Sequence, residues 1–532
     1  MKGYMKFSFK LKSLNFIFGF IIIILLNIIV GSTISDDLNS MIDNRYDKDK
    51  INVWIYFSDK GNINLNEQIQ KLEQEANLAQ IKRRLKVRNE LFDFRDISLY
   101  QPYINELLKN SDIILRTQSK WLNAISINVP IYLINEISQN NFVKKIDVVK
   151  SGKRKNNLII KNKENTSRNN YGPSYNQLEQ INVIEAHENG YKGQGVKILV
   201  LDTGFYTEHE SINENNILDE WDFINSDSET QNEDGDHNDQ HNHGTYILSV
   251  IGGAKEEQLY GPAYESNFFL AKTEDLTQEE PIEEDWFVAA LEWGEGLGAD
   301  ISSSSLGYID WYDFEDLDGQ TAVTTIGINI ATENGMVCVT SAGNSGYDGI
   351  IAPADAHKVM AVGAVDSNGE LAWFSSRGPT ADGRIKPEVC AQGLDTYCAV
   401  PSSNQYAYVS GTSLSCPLIS GACAVILSAR PEWPNYMVRE ALLNTAGNAM
   451  NPNNDYGWGI INVMTAIHYY DSSGDINYDG ELNVMDLIEI VSIVLMGESM
   501  DISDGDFEII DGNNDGIINI LDLIYFVNII LS

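Results

Sequence analysis

Five short apolar runs recur between residues 196 and 365, and helical patterns separate several of them. The apolar runs are Val196–Leu201, Phe268–Ala271, Ile301–Ser304, Val337–Ser341 and Val359–Val365. The helical stretches are Tyr246–Ile251, Trp286–Leu297 and Val323–Asn334. Strands that are apolar throughout and connected by crossover helices are typical of a parallel sheet that is covered on both faces. This part of the chain is therefore predicted to be an α/β domain.

Three polar side chains accompany this pattern in the order Asp, His, Ser. Asp202 ends the first apolar run and precedes Thr-Gly, His243 precedes Gly-Thr and an apolar helix, and Ser413 follows Gly-Thr. A hydrolytic triad needs a nucleophile, a base and an orienting carboxylate from separate parts of a fold. Each motif alone could be a turn, a helix cap or a small-residue helix contact. Their joint occurrence favours Ser413 as nucleophile, His243 as base and Asp202 as the residue that orients it.

Asn344 follows the fourth apolar run, within Ala-Gly-Asn-Ser-Gly, and offers an amide donor. Ser413 precedes an apolar helical stretch, so that backbone N–H groups and the positive end of a helix dipole would lie near its oxygen. Both features would stabilise the oxyanion that forms when a serine attacks a carbonyl. One such donor contributes about 3–4 kcal/mol to transition-state stabilisation.

These motifs together resemble the subtilisin-family serine peptidases (subtilases) over residues 171–470. The resemblance implies a subtilisin-like parallel sheet with flanking helices, with Asn344 as oxyanion donor beside the triad. Ser305-Leu306-Gly307 resembles the substrate-binding strand of the family, and Ala342-Gly343 resembles the wall of its S1 pocket. The implied substrate-binding residues are Ser305, Leu306, Gly307, Ala342 and Gly343.

Two features near His243 have alternative interpretations. His241 lies two positions earlier and competes as the base, but the Gly-Thr that follows His243 favours His243. The insertion Asp227–Asp239 contains Asp234, Asp236 and Asp239, which suit either a solvated loop or a calcium site. We interpret it as a solvated loop because acidic runs are usually surface.

The N-terminal third has a different pattern. Ile51–Phe57, Ile113–Leu115, Ala124–Val129 and Val143–Val149 are strand candidates, and Leu65–Leu91 and Ile131–Ile137 have helical patterns. The order β-α-β-β-α-β predicts a small α+β domain of ferredoxin-like layout. The stretch 150–170 is polar and basic, and is predicted to be a linker open to proteolysis. Subtilases are made with such a prodomain, so the resemblance makes residues 34–170 a prodomain and linker; a permanent accessory domain is the alternative.

Residues 1–33 contain four lysines, then an apolar run and small residues, as in a cleaved secretory leader. A retained anchor is the alternative, but a membrane span usually needs about 20 apolar residues. We therefore expect a protein that is secreted or associated with the cell surface.

The charge of the 532-residue chain is unevenly distributed. The net charge of −39 argues against nucleic acid as a partner. Residues 1–170 carry a net charge of +10, whereas residues 171–532 carry −49. The basic and acidic regions could bind each other through electrostatic attraction, or the acidic region could simply be a solvated surface.

Two C-terminal segments repeat with a spacing of 36 residues and carry oxygen ligands at calcium-loop positions. The predicted ligands are Asp475, Asn477, Asp479, Glu481, Asn483 and Asp486 in the first, and Asp511, Asn513, Asp515, Ile517, Asn519 and Asp522 in the second. Glu481 and Ile517 would contribute backbone carbonyls. Asp at position 12, and the lack of a helix before each loop, resemble a dockerin domain. This implies structural calcium and a cohesin-like partner; a calcium-stabilised spacer without a partner is the alternative.

The five cysteines lack metal-binding spacing, and only Cys390 and Cys398 are placed to pair across a loop.

We therefore predict four segments: a signal peptide (1–33), a prodomain and linker (34–170), a subtilase catalytic domain (171–470) and a small α calcium-loop dockerin-like domain (471–532). The predicted function is a secreted, self-processed serine endopeptidase that acts on proteins or peptides and is restrained by its own prodomain. It uses no cofactor for catalysis. The alternative is a catalytically silent subtilase-like surface protein that acts mainly as a docking module. A lipase-like hydrolase is disfavoured because no Gly-x-Ser-x-Gly elbow surrounds Ser413.

Overall fold

A computed structural model describes the chain in segments that form two compact units. The described residues are 34–43, 49–149, 159–161, 170–213, 216–277, 283–309, 312–401, 404–470, 474–477, 482–496, 507, 509–513 and 516–531. The first unit comprises the described residues of 1–72 and 92–150, and the second those of 73–91 and 151–532. The predicted leader, residues 1–33, lies outside the described residues.

The first unit is built on a four-stranded antiparallel sheet of order β2-β3-β1-β4. Its strands are β1 (Lys50–Phe57), β2 (Ile114–Ser119), β3 (Ala124–Pro130) and β4 (Val143–Val148). Its helices are α1 (Asp36–Ile42), α2 (Leu65–Glu75), α4 (Gln101–Leu107) and α5 (Ile131–Ser138). Val53, Ile55 and Ile127 are fully buried in its core, and each such side chain contributes about 1.5–3 kcal/mol. An antiparallel α+β domain is therefore present where one was predicted.

The helical pattern over Leu65–Leu91 forms two helices rather than one. After α2 the chain is extended at Asn77, whose side chain accepts a hydrogen bond from Ala79 N and caps α3 (Leu78–Leu85). An N-cap residue starts a new helix because its own backbone is not helical. The break matters because α3 belongs to the second unit.

The second unit contains a seven-stranded parallel sheet of order β14-β13-β12-β11-β6-β10-β7. Its strands are β6 (Lys197–Asp202), β7 (Ile217–Asp222), β10 (Asn267–Lys272), β11 (Ile301–Ser304), β12 (Val337–Ser341), β13 (Met360–Val365) and β14 (Val389–Gln392). The five predicted strands are the five inner strands. The two missed strands are the edges, where β7 carries three acidic residues and β14 is only four residues long. Edge strands need less apolar character because one side remains unpaired.

Helices and small sheets complete the second unit. The helices besides α3 are α6 (Tyr175–Glu179), α7 (Val183–Glu188), α8 (Asn242–Gly252), α9 (Glu283–Leu297), α10 (Val323–Glu333), α11 (Thr412–Ala429), α12 (Asn435–Thr445), α13 (Val463–Ile467), α14 (Val484–Met496) and α15 (Ile520–Leu531). Among the described residues only α11 is long and apolar enough to span a membrane, and 89% of its length is buried, as in the core helix of a globular fold. It contacts β11, β12, β13 and β14.

The predicted linker is not without structure. Ile159–Lys161 forms a short strand, β5, which pairs antiparallel with β16 (Gln405–Ser410). β16 also pairs with β15 (Thr396–Val400), and β8 (Ala254–Lys255) pairs with β9 (Leu259–Tyr260). The predicted linker over 150–170 therefore includes one short described strand, because the edge of β16 offers backbone hydrogen bonds to an apolar segment.

All five cysteines are unpaired and buried. Cys390 and Cys398 do not form the disulfide considered above, because they lie on β14 and β15, which belong to different sheets. The thiol of Cys390 points to Tyr456 O at 3.5 Å and that of Cys398 to Ala407 O at 3.7 Å. Burial raises the pKa of the Cys390 thiol to about 12 and also raises the pKa of the Cys398 thiol.

We predict that the native protein will react with fewer than one equivalent of iodoacetamide at pH 8, and with five after denaturation. A thiol reacts as its thiolate, and a pKa of about 12 leaves only about one molecule in ten thousand ionised at pH 8. The measurement is mass spectrometry of labelled peptides. Labelling of only three cysteines in the denatured, unreduced chain would instead reveal a disulfide.

Candidate active site

Three neighbouring strands of the parallel sheet end at one edge and deliver polar residues there. β11 lies between β6 and β12, and Ser304 is in register with Leu201 on one side and with Thr340 on the other. The carboxyl ends of parallel strands lie at the same edge of a sheet, which is where α/β folds bind ligands. Asp202, the segment from Ser305 and the segment from Ala342 therefore emerge side by side.

The carboxylate of Asp202 is hydrogen-bonded to the imidazole of His243. His243 Nδ1 lies 2.6 Å from Asp202 Oδ1, and both side chains are buried. Asp202 Oδ1 also accepts from Thr203 N at 2.7 Å, which holds the carboxylate in place. Because the carboxylate accepts at Nδ1, that nitrogen carries the proton and Nε2 presents a lone pair. His243 Nε2 has no hydrogen-bond partner among the described residues.

Gly244 allows the start of α8 to approach β6 closely. A Cβ atom at Gly244 would lie 2.1 Å from Gly204 O and 3.0 Å from Asp202 Cβ. Only glycine fits such a backbone contact. This close packing explains why a glycine follows His243 and how the imidazole reaches Asp202.

Ser413 lies in the first turn of α11, and its hydroxyl is directed to the end of β11. Ser413 Oγ donates to Ser305 O at 3.2 Å, and Ser305 Oγ donates back to Ser413 O at 2.8 Å. Helix α11 packs against α8, which carries His243. The structure therefore places Ser413 against the segment predicted to bind substrate, with its hydroxyl proton donated to Ser305 O.

The carboxamide of Asn344 is oriented by the residue that precedes the serine. Asn344 Oδ1 accepts from both Thr412 N and Thr412 Oγ1, each at 2.9 Å. Because both donors bind the oxygen, the Asn344 Nδ2 group is directed away from Thr412. This orienting role of Thr412 was not anticipated. Its only signal in the sequence is its position next to Ser413.

The two predicted substrate-binding segments are joined by one side chain. A Cβ atom at Gly307 would lie 2.0 Å from Ile351 Cδ1, and one at Gly343 would lie 3.0 Å from Ile351 Cγ2. Gly343 also has a φ of +109°, which disfavours other residues. Leu306 and Ala342 are fully buried, whereas Gly307 is partly exposed. Ile351, which the sequence analysis missed, fills the space between the segments.

His241 does not reach Asp202. Its Nδ1 accepts from Asn232 N at 3.2 Å, and its backbone caps α8. The acidic insertion contributes Asp227 and Glu233 to a cluster with Asp222, in which the carboxylate oxygens lie within 4.8 Å of one another. Lys272 Nζ lies 2.7 Å from Asp222 and 2.8 Å from Asp236. A buried lysine therefore already balances part of the negative charge of this cluster.

The two C-terminal repeats have matching local geometry. Asp486 accepts from Asn477 N at 3.3 Å and from Asn483 N at 2.8 Å. Asp522 accepts from Asn513 N and Asn519 N at the same two distances. The carboxylates of Asp475, Asp486, Asp511 and Asp522 are all buried. The predicted ligands Asp479, Glu481 and Asp515 lie outside the described residues.

Known proteins resemble most of the chain. A sequence model described as the Subtilase family matches residues 193–459, and one described as the Peptidase S8 propeptide domain, Bacteroidota, matches residues 52–168. Subtilisin of Bacillus pumilus is 31% identical over 294 residues, covering 54% of this chain and 97% of the relative. Subtilisin Savinase of Lederbergia lenta is 30% identical over 290 residues, covering 54% and 97%. Subtilisin E of Bacillus subtilis (strain 168) is 31% identical over 297 residues, covering 54% and 70%.

These matches cover both the parallel sheet with its flanking helices and the antiparallel domain before it. The chain is accordingly a subtilisin-like serine endopeptidase made with an N-terminal propeptide. On the arrangement at the ends of β6, β11 and β12 together with these matches, the chain belongs to the subtilase family.

Proposed function

We propose that Ser413, His243 and Asp202 form the catalytic triad and that Asn344 donates to the oxyanion. The observation that carries this assignment is the 2.6 Å contact between His243 Nδ1 and Asp202 Oδ1, which leaves His243 Nε2 without a partner among the described residues. Rotation of the Ser413 side chain would move Oγ from Ser305 O toward His243 Nε2 and would complete the hydrogen-bonded triad. Catalytic hydrogen bonds are often loose before substrate binds.

In the proposed reaction Ser413 Oγ attacks the scissile carbonyl carbon while His243 Nε2 takes the hydroxyl proton. The electron pair of the carbonyl becomes an oxyanion, which the Nδ2 group of Asn344 would stabilise. His243 then gives its proton to the leaving amine, and an acyl-enzyme forms on Ser413. Water, deprotonated by His243, releases the acyl group and restores the hydroxyl. Asp202 keeps the imidazole in the required tautomer throughout.

The substrate is proposed to be an extended peptide that lies along the backbone of Ser305, Leu306 and Gly307. Ala342 and Gly343 would form the S1 wall, with small residues that favour a broad P1 preference. Gly307 and Gly343 have no Cβ, and Ile351 occupies the space on the side where a Cβ would lie. The net charge of −49 on residues 171–532 favours cationic substrates through long-range attraction.

We also propose that the chain is exported through the leader 1–33 and that the propeptide, which has a ferredoxin-like layout, ends with the linker near residue 170. The catalytic domain would then occupy 171–470. The order β2-β3-β1-β4 with antiparallel pairing supports this layout. Self-cleavage within 150–170 would yield the active enzyme, which is either secreted or held at the cell surface.

We predict that residues 34–532 will process themselves between 150 and 170, and that a fluorophosphonate will label Ser413. The variant Ser413→Ala should do neither, because it lacks the nucleophile. Ser428→Ala is the matched control, because Ser428 lies near the other end of α11, with its hydroxyl on Val425 O. N-terminal sequencing and probe labelling are the measurements. A well-folded wild-type chain that is neither processed nor labelled would support the catalytically silent docking protein instead.

We predict that Asn344→Leu will lower kcat by about 10²- to 10³-fold with little change in KM, because the lost donor acts only on the transition state. Leucine keeps the shape of the side chain but cannot donate. Peptide hydrolysis by the processed enzyme gives both constants, and circular dichroism checks the fold. A kcat within threefold of the wild-type value would remove Asn344 from the assignment.

We propose further that residues 471–532 form a dockerin-like domain that holds calcium in two loops and binds a cohesin-like partner. Four buried aspartates on equivalent positions and the matching backbone hydrogen bonds of Asp486 and Asp522 support the calcium sites, since carboxylate oxygens grouped in such loops are the ligands that calcium prefers. Asp475, Asn477, Asn483 and Asp486 would hold the ion in one loop, and Asp511, Asn513, Ile517, Asn519 and Asp522 in the other. Asp479, Glu481 and Asp515 complete the proposed sets. Calcium here would stabilise the domain and take no part in catalysis.

We predict that the double variant Asp475→Ala/Asp511→Ala will bind two fewer calcium ions per chain than its parent. Each substitution removes the first ligand of one loop. Isothermal titration of the full chain in a Ser413→Ala background measures the stoichiometry without self-digestion. Asp227→Asn/Glu233→Gln is the control for the acidic cluster near the active site. An unchanged stoichiometry in the first variant would show that the C-terminal loops do not bind calcium.

A further inference from the structure

Two arginines of the propeptide are buried against one carboxylate of the parallel-sheet unit. Helix α3 lies within the range matched by the propeptide model and carries Arg83 and Arg84. Arg84 binds Glu295 in bidentate fashion, with Nε and Nη2 each 2.8 Å from a carboxylate oxygen. Arg83 forms a second ion pair with Glu295, and Gln80 Nε2 donates to Glu295 Oε2 at 2.8 Å. All three charged side chains are at least 96% buried.

The same segment binds the carbonyl ends of two helices and the turn that follows a third. Arg83 donates to Glu295 O and Ala299 O at the end of α9, and to Asn334 O at the end of α10, the last at 3.1 Å. Lys86 Nζ donates to Pro431 O and to Trp433 O just beyond α11. The last carbonyls of a helix lack intrahelical partners and lie at the negative end of its dipole, so cations stabilise them.

Two glycines make room for this segment. A Cβ at Gly298, which follows α9, would lie 2.7 Å from Ala79 Cβ. A Cβ at Gly335, which follows α10, would lie 3.0 Å from Arg83 O and 3.1 Å from Val87 Cγ2. Both glycines have positive φ, so they terminate their helices and also permit close approach. The steric fit is thus independent of the charge pairing.

The carboxylate depends on the arginines. Burial acts to raise the pKa of Glu295, but the hydrogen bond from Arg84 and the charges of Arg83 and Arg84 together lower it. Nearby Asp300 is partly buried, and desolvation raises the pKa of its carboxyl group, which the charges of Arg83 and Lys86 oppose. If the segment left, both carboxyl groups would lose these cationic partners. Uncompensated buried charges are strongly unfavourable.

We propose that residues 77–88 are a clasp that keeps the propeptide bound to the catalytic domain after the chain is cut. The binding site is formed by Glu295, the carbonyl ends of α9 and α10, and the turn between α11 and α12. Its ligand is a short helix with adjacent arginines, an N-cap asparagine and a trailing lysine. The inference rests on the proposed function only because the proposed cleavage within 150–170 makes the propeptide and the catalytic domain separate chains.

The experiment cuts the chain without using its own activity. Residues 34–532 carry Ser413→Ala, an N-terminal affinity tag and the recognition sequence of a site-specific protease in place of residues 152–157. After cleavage, the tagged fragment is immobilised, and dissociation of the larger fragment is followed by surface plasmon resonance. We expect Arg84→Met and Glu295→Gln each to weaken the complex by about 10- to 100-fold, as for the loss of a buried charged hydrogen bond. Dissociation of Arg84→Met at the wild-type rate would overturn the proposal.

Lys82→Met is the matched control, because Lys82 lies on the same helix, has the same charge and is exposed. It should leave dissociation within about twofold of wild type, whereas equal effects at Lys82 and Arg84 would show that only net charge matters and would overturn the clasp. If Arg84→Met does not fold, amide exchange of the parent complex decides. Residues 77–88 should stay protected after the cut, and full exchange would contradict the proposal. Neither readout depends on Ser413, so failure of the clasp is distinguishable from failure of the triad.

Discussion

The parallel register of β6, β11 and β12 is the constraint on which the active site depends. Parallel strands end at one edge of the sheet, so the register of Leu201, Ser304 and Thr340 brings together segments that are far apart in the chain. Asp202 and Ser305 leave that edge directly. Helices α8 and α11 pack on each other, and they bring His243 to Asp202 and Ser413 to Ser305. Without this register, these polar residues would lie on loops far apart from one another.

The site contains buried polar atoms without hydrogen-bond partners in the described part of the chain, whereas a purely structural core usually pairs such atoms. Asp202 Oδ2 and His243 Nε2 are buried and have no hydrogen-bond partner among the described residues. Such atoms cost free energy when left unpaired, and they concentrate where a ligand or a moving proton completes the set. By contrast, the Asn344 carboxamide oxygen is bound twice by Thr412. The fold therefore fixes the orientation of the Asn344 carboxamide and leaves a buried oxygen of Asp202 and a buried nitrogen of His243 without a partner among the residues that the structure describes.

Helix α3 packs within the second unit in a way that net charge alone does not describe. The opposite charges of residues 1–170 and 171–532 suit either docking through opposite fields or a solvated acidic surface. Within the second unit, the contacts of α3 are local and involve one buried carboxylate, the ends of α9 and α10, and the turn after α11. Asn77 has an extended backbone and caps α3, so that α2 and α3 are separate helices.

Much of the architecture could be predicted because apolar periodicity reports burial. The five inner strands of the sheet and the four strands of the N-terminal domain agree with the predicted runs to within a few residues. The edge strands β7 and β14 and the short strand β5 could not be predicted in this way, since an edge position or a single pairing partner leaves no strong pattern. Cys390 and Cys398 were candidates for pairing by spacing alone, and the two sheets keep them apart.

The sequence by itself determined the candidate triad, Asn344 and the calcium-loop spacing, because each depends on residue type and order within a short motif. Tertiary structure alone decided which histidine reaches Asp202, how Thr412 orients Asn344, that Ile351 joins the two glycine segments, and that Glu295 receives Arg83 and Arg84. These contacts join residues that are distant in sequence. They exist only where strand register and helix packing bring the atoms within hydrogen-bond distance, and no local pattern records that distance.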